Sequence, residues 1–505
     1  MQEKKNPPEH DKIMEMRNRR AVLMEFDLSK PQCYWFKKIS EIPRGSRNEK
    51  AVSDFVVKFA EERNLKVKQD AAWNVIVDKP GSPGHEYDPV LILQAHMDMV
   101  CEKTSDSDHD FEKDPLDLYV EKGWLHARGT TLGGDDGNGV AYMLAVLDDD
   151  TLVHPPLECM FTTAEEIGLV GAQKLVPEDL HGDRLISLDG GGEHVTGLSS
   201  SGAATIHMSY EMKMEPASDP AYELYVYGLK GGHSAAMIDR ERANALKLAA
   251  RILEEAEGRG ISLHLVSLDG GRKDNAITRE SRILFTSSAS YAELESSVKQ
   301  SAAGIHEELQ YSDEGFAAEL KQKDSVSEQA DGDSSAELLD FLYLIPDGFQ
   351  HKSMAIPGLT LTSLNLGILY TDGNKAEMQI LARSAIDSAL DHMIGQVKKL
   401  SQYMGVQAQI LGRYKGWNYK EDSDLRKKFA MVLEKHGEKL ECHASHGGLE
   451  CGIFSGMRPG IDIITFGPIC LDVHSPEERL DLASFDRSYE MLREMITACA
   501  EQESN

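Results

Sequence analysis

PVLILQAHMDM (89–99) is a near-continuous apolar run that turns polar at its end. Such a run reads as a strand buried on both faces, the mark of a sheet covered by helices. Its polar residues, His96 and Asp98, fall at the C-terminal end. Ligands bind at that end in open α/β sheets. The pattern recurs. PLECMFTTAEE (156–166) closes on Glu165 and Glu166, DRLISLDGG (183–191) carries Asp189, and IDIITFGPI (461–469) runs toward DVHSP with His474. Gly137-Asn138-Gly139 leads into VAYMLAVLDD (140–149), a helix by its apolar content and length. Strands alternating with helices imply a mixed sheet flanked by helices, an α/β fold.

Beyond residue 202 the character changes. ATIHMSYEMK (204–213) and AYELYVYGLK (221–230) alternate as half-exposed antiparallel strands do. RANALKLAARILEEAEG (242–258) is an amphipathic helix, followed by strands in 261–271 and 281–290 and a helix over 291–310. A second round follows: a helix at 335–345, strands LTLTSLNLGIL and AEMQILARSAID, a helix at 388–404 and the strand VQAQILG. This order predicts an inserted α+β domain of two similar halves over 203–411. The catalytic domain then comprises 1–202 and 412–505, with 1–20 as a mobile extension.

A chain of 505 residues exceeds one ordinary core. Its formal charge of −30 argues against nucleic acid and against anionic membranes as partners. No apolar run approaches the ~18–20 residues of a membrane span. The charged N-terminus lacks the apolar core of a signal peptide. Seven scattered cysteines, without a Cys-x-x-Cys pair, fit a reducing cytoplasm. Cys442, His443, His446 and Cys451 lie close together, but their irregular spacing favours buried cysteines over a structural zinc.

The candidate ligands are His96, Asp135 or Asp136 in GTTLGGDDGNG (129–139), Glu165 or Glu166, Asp189 and His474. Mixed imidazole and carboxylate sets suit zinc, and also manganese or cobalt. Five donors exceed one tetrahedral ion. They suit two ions ~3.5–4 Å apart sharing a carboxylate, which activate water and clamp a carbonyl oxygen. Of two adjacent glutamates, one can bind metal while the other moves the water's proton. Asp98 can accept the other N–H of His96. Gly231-Gly232-His233-Ser234 offers an imidazole that could hydrogen-bond an oxyanion.

At these residues the chain resembles metallopeptidase family M20, within it the bacterial aminoacyl-histidine (Xaa-His) and cytosolic non-specific dipeptidases. The resemblance runs from about residue 32 onward and rests on FKKISEIPRGSRNE, QAHMDMV, ARGTTLGGDDGNG, TTAEEIGLVGA, GLKGGHS, DNAITRE, ARSAIDS, HGGLECGIF and GPICLDVHSPEERL. It implies His96, Asp135 and Asp189 on one zinc and Asp135, Glu166 and His474 on the other. It also implies Glu165 as general base, Asp98 as the partner of His96 and a cis peptide after Asp135. His233 would be the oxyanion donor of a lid, with Asn275, Arg383 and Gly448 holding the substrate. Gly-Gly-Asp at 133–135, SLDGGGEH at 187–194 and NAITRE at 275–280 depart from the family's usual wording without removing a ligand. The implied activity is hydrolysis of free-amine dipeptides, with an aminoacylase, a tripeptidase or a metal-free peptide-binding protein as alternatives. A lid of two similar halves could complete the site within one chain, and strands on the lid surface could equally pair two chains as a homodimer.

Overall fold

The computed structural model describes residues 26–500, so the extension expected over 1–20 lies outside the described residues. The chain divides into two compact units. Unit 1 runs through Leu198 and resumes over Tyr419–His443 and from Ile453, while unit 2 holds Ser199–Asn418 and Ala444–Gly452. The boundaries at 202/203 and 411/412 expected from the sequence therefore shift outward. Ala444–Gly452, expected in the catalytic part, belongs to unit 2. That segment's backbone bonds explain the assignment, since Ser445 N–H donates to Ser199 O and Ser201 N–H to Gly447 O.

Unit 1 is built on one sheet. Its strands are β1 (Lys66–Gln69), β2 (Val75–Lys79), β3 (Leu91–His96), β4 (Leu157–Thr162), β5 (Arg184–Ser187) and a final strand, Asp462–Thr465, in the order β1-β2-β4-β3-β5-final. β4, β3, β5 and the final strand are parallel, and β1 and β2 add an antiparallel edge. Every residue of β3 and β4 is buried, as their unbroken apolar sequence requires. The chain leaves β3 for β4 on one side, then crosses to β5 on the other, so β3 sits where the strand order reverses. The carboxyl ends beside such a reversal form a crevice. Helix Gly134–Leu147 is buried from Asp136 to Leu147, all round. Tyr142 on it stacks on Phe485 and donates its hydroxyl to Phe485 O at 2.8 Å. A small sheet joins Leu118–Glu121, Trp124–Ala127, Arg479–Asp481 and Cys470–Leu471, and the loop between the last two carries His474.

Unit 2 has its own core and one large antiparallel sheet. Its strands are β6 (Gly202–Glu211), β7 (Ala221–Tyr227), β8 (His264–Gly270), β9 (Ser281–Thr286), β10 (Ala317–Gln322), β11 (Thr360–Asp372), β12 (Lys375–Ser384) and β13 (Gln407–Tyr414). The order is β10-β7-β9-β8-β11-β12-β6-β13, with Gly348–Lys352 also pairing β11. Numbered along the chain within each set of four, β7–β10 read 4-1-3-2, and β6 with β11–β13 read the same from the opposite edge. Two split βαβ motifs thus abut through β8 and β11. The sequence order had grouped β6 with β7. In the sheet β6 pairs β12 and β13, and the whole β7–β10 set is inserted behind it.

Among the described residues no helix is long and apolar enough to cross a membrane. None of the seven cysteines is in a disulfide, and Cys442 is exposed whereas Cys451 is buried. Cys442 and His443 belong to unit 1, His446 and Cys451 to unit 2. They form no metal-holding group among the described residues.

Helix Asp424–Lys435 returns to unit 1 through Phe429, whose ring meets Phe466 edge-on at 5.1 Å and is fully buried. Phe429→Ala should cost about 3–5 kcal/mol in denaturant unfolding. A loss below about 1 kcal/mol would show that this helix is not part of the core.

Candidate metal centre

Five segments of unit 1 deliver the expected residues. His96 ends β3, Glu165 and Glu166 follow β4, Asp189 follows β5, and Asp135 stands at the start of helix Gly134–Leu147. His474 comes from the hairpin loop of the small sheet. The Asp135-Asp136 peptide is cis.

The centre is organised by Asp135. Its Oδ1 lies 3.0 Å from His96 Nε2 and its Oδ2 lies 3.3 Å from His474 Nε2. His474 Nε2 is also 3.0 Å from Glu166 Oε1. Donors held ~2.0–2.1 Å from one tetrahedral ion stand about 3.3 Å apart, so these separations suit pairs of ligands on shared ions. His96, Asp135 and Glu166 each bring one ligand atom within 4.8 Å of the others. This triad combines residues that the family pattern divides between two ions. Asp189 has no hydrogen-bond partner among the described residues, but its charge is felt: burial, then the Asp135 carboxylate, push its pKa up to about 7.

The remaining shifts have related causes. Burial opposes charge on His96, but the Asp135 and Asp98 carboxylates outweigh it and raise its pKa well above the usual value. Asp135 and Glu166 raise that of His474 to about 10. Burial works to raise the Asp135 carboxyl, but His474 and His96 hold it below the ordinary range. Burial raises Asp136, whose Oδ2 has no partner. Three carboxylates and two imidazoles thus crowd one locus that is buried at His96 and open at His474. Divalent cations between them would relieve the carboxylate repulsion and take one donor atom from each imidazole and carboxylate oxygen facing them, and two imidazoles with three carboxylates exceed what one tetrahedral ion takes. The residues fit a pair of such ions.

Asp98 is fully buried and works on the backbone as well as on His96. Its Oδ1 accepts from Glu165 N–H at 3.0 Å, and its Oδ2 accepts from Glu166 N–H at 3.3 Å and from Ser46 Oγ at 2.7 Å. His96 Nδ1 stands 3.4 Å from Asp98 Oδ1, outside good hydrogen-bond geometry. Glu49 accepts from Ala164 N–H at 3.0 Å and from Arg47 N–H at 2.9 Å. These contacts hold a turn in which Ala164 has φ +52°, and His474 is likewise left-handed at +64°. Non-glycine residues there cost roughly 1–3 kcal/mol each and cluster at functional sites. The sequence reading missed Arg44, Ser46, Glu49 and Glu478, whose signal was the charged stretches PRGSRNE and SPEER beside the ligands.

The expected substrate residues all lie in unit 2. His233 is exposed and accepts from Ala235 N–H on Nδ1 at 3.2 Å, which leaves Nε2 as the protonated, donating nitrogen. Burial and the Arg383 charge lower its pKa, favouring the neutral ring. Its strand pairs with Ala276–Ile277, and Ser234 N–H donates to Asn275 O at 2.8 Å, so His233 and Asn275 are neighbours. Arg383 is 7% exposed, and its Nε has no partner. A Cβ at Gly448 would lie 2.3 Å from Tyr414 Oη, so a larger residue there must displace the tyrosine ring.

Comparison with known proteins agrees with this chemistry. The model of peptidase family M20/M25/M40 matches residues 92–498. The chain is 32% identical over 480 residues to the cytosol non-specific dipeptidase of Escherichia coli strain K12, covering 94% of this chain and 99% of that one. Its structure is similar to that of aminoacylhistidine dipeptidase from Vibrio alginolyticus, with a TM-score of 0.85 and 32% identity over 93% of this chain and 96% of that one. Aminopeptidase PepT from Bacillus cereus shares the fold at a TM-score of 0.54 and 14% identity, over 94% of this chain and 100% of that one.

His446, in the segment joined to unit 2, contacts Ser363 Oγ through Nε2 at 2.7 Å. Burial and the Arg383 charge lower its pKa to about 3. In the unfolded chain it titrates near ~6.5. Between these values the unfolded state binds the extra proton, so stability is full above pH ~6.5 and is lost as pH falls toward 3. His446→Gln should reduce this acid sensitivity by up to about 1.4 kcal/mol per pH unit in urea titrations between pH 6.5 and 4. Identical pH slopes for the two proteins would contradict it.

Proposed function

The chain belongs to peptidase family M20/M25/M40, and from that membership and the geometry of the centre we propose a cytoplasmic, dinuclear zinc dipeptidase acting on free-amine dipeptides. The observation that carries this reading is Asp135, whose two oxygens face two different imidazoles. His96, Asp135 and Asp189 would hold one ion, and Asp135, Glu166 and His474 the other, with zinc suited to the donors and manganese or cobalt as substitutes. Bound there, the ions supply Lewis acidity toward water and the scissile carbonyl. The identified relatives support the substrate class, being a non-specific dipeptidase and an aminoacylhistidine dipeptidase. Seven cysteines without a disulfide between them support the cytoplasm.

The chain's own groups divide the reaction. Glu165 takes a proton from the attacking water as its oxygen bonds to the carbonyl carbon. When the C–N bond breaks, Glu165 returns that proton to the leaving amine. Asp98, by accepting Glu165 N–H, keeps the residue turned for this task. His233 donates Nε2–H to the oxyanion, a role its Nδ1 contact prepares. Arg383, almost buried and unpartnered at Nε, takes the substrate's terminal carboxylate, and Asn275 its backbone. Gly448 allows a close approach.

Glu165→Ala should lower kcat about a hundred- to ten-thousandfold with zinc content unchanged, measured by dipeptide hydrolysis and elemental analysis. Retention of most activity with metal intact would remove Glu165 as the base. Xaa-His and other free-amine dipeptides should be cleaved and N-acetylated amino acids left intact; the reverse preference would point to an aminoacylase.

A further inference from the structure

Glu478 is charged in type yet only 2% exposed, and it is not a ligand. Its Oε2 accepts from Leu132 N–H at 2.8 Å and from Gly133 N–H at 3.0 Å. Its Oε1 accepts from Gly134 N–H at 2.7 Å and from Asp135 N–H at 3.4 Å. Four consecutive amides of the Asp135 loop therefore converge on one carboxylate. Successive amides at the start of a helix form an anion cradle. Here the anion comes from the chain itself, four residues beyond His474 on the same hairpin. Arg44, also buried, grips the loop's other side by donating to Gly133 O, while its Nη1 donates to Met97 O at 2.9 Å and Asp98 O at 3.1 Å. The fit is close. A Cβ at Gly133 would lie 2.5 Å from Arg44 Nη2, and one at Gly134 would lie 2.8 Å from Cys470 Sγ and 3.3 Å from Glu478 Oε1.

We propose that Glu478 is a positioning residue that sets the orientation of the Asp135 carboxylate relative to His474, so that both halves of the metal centre form as one unit. This assignment rests on the ligand set proposed above. Glu478 touches neither substrate nor reacting atoms; it acts through Asp135. Its carboxylate spans the two segments that supply Asp135 and His474, whereas Arg44 spans those that supply Asp135 and His96. An amide in its place keeps the volume but presents an NH2 to backbone donors, so the loop must shift. A helix cap with no further role would lower Tm and leave the properties of bound metal untouched.

The test uses the full chain stripped of metal and titrated with Zn2+ against a chromophoric chelator, and with Co2+ followed by its visible absorption. Glu478→Gln should bind zinc about ten- to hundredfold more weakly and shift the Co2+ bands. Glu478→Asp, which keeps the charge, should recover part of both. A folded Glu478→Gln protein with unaltered zinc affinity and Co2+ spectrum overturns the proposal. If Glu478→Gln does not fold, Glu478→Asp decides: weakened zinc binding with shifted bands supports the proposal, and unaltered behaviour overturns it. Asp135→Asn is titrated in parallel. Zinc lost there but unaltered in Glu478→Gln defeats this inference alone, whereas zinc retained by both defeats the ligand assignment with it.

Discussion

Asp135 gives one oxygen to His96 and the other to His474, and those two residues lie at opposite ends of the catalytic chain. An arrangement of this kind makes severe demands on its surroundings. A carboxylate with both oxygens committed has no rotational freedom left, so its backbone must be fixed as well. The structure fixes it three times: by the buried helix that begins there, by Glu478 on its amides and by Arg44 on the Gly133 carbonyl. The sheet then needs only to bring β3, β4 and β5 side by side, and their carboxyl ends supply the remaining donors.

The electrostatics follow from the same crowding. Burial raises Asp189 and Asp136, while the imidazoles beside Asp135 drive it the opposite way. Neighbouring carboxylates thus hold protons with very different strengths inside one crevice. Environments that pull like groups apart cluster at functional sites. The unit 2 groups show a milder version, with burial and then the Arg383 charge lowering both His233 and His446 and so favouring neutral rings in each.

Much of this was legible in the sequence because the proposed ligands sit where apolar runs stop. A strand buried on both faces is conspicuous, and any polar residue at its end is conspicuous with it. The expected strands and helices of the catalytic part are present, as are the elements of the middle part. Other features were hidden for physical reasons. Glu478, Arg44 and Glu49 look like surface charges, because sequence does not show that backbone amides and carbonyls surround them. β10, with the sequence AAELKQ, is polar enough to pass for a loop and is recognisable only by its pairing with β7. The partnership of β6 with β12 rather than β7 is a long-range choice that local alternation cannot express. The placement of Ala444–Gly452 in unit 2 is of the same kind.

The interrupted motif of unit 2 has a consequence for how the protein is made. β7–β10 and their helices are contiguous in sequence, so this set can assemble from local contacts as soon as it leaves the ribosome. β6 emerges earlier, yet its partners, Lys375–Ser384 and Gln407–Tyr414, are the last strands of the sheet to be synthesised. For all that time a ten-residue strand of mostly buried residues lacks both neighbours. Unpaired apolar strands are aggregation hazards. The oldest strand of the unit is therefore the last to be protected, and translation speed through residues 212–407 sets how long it waits.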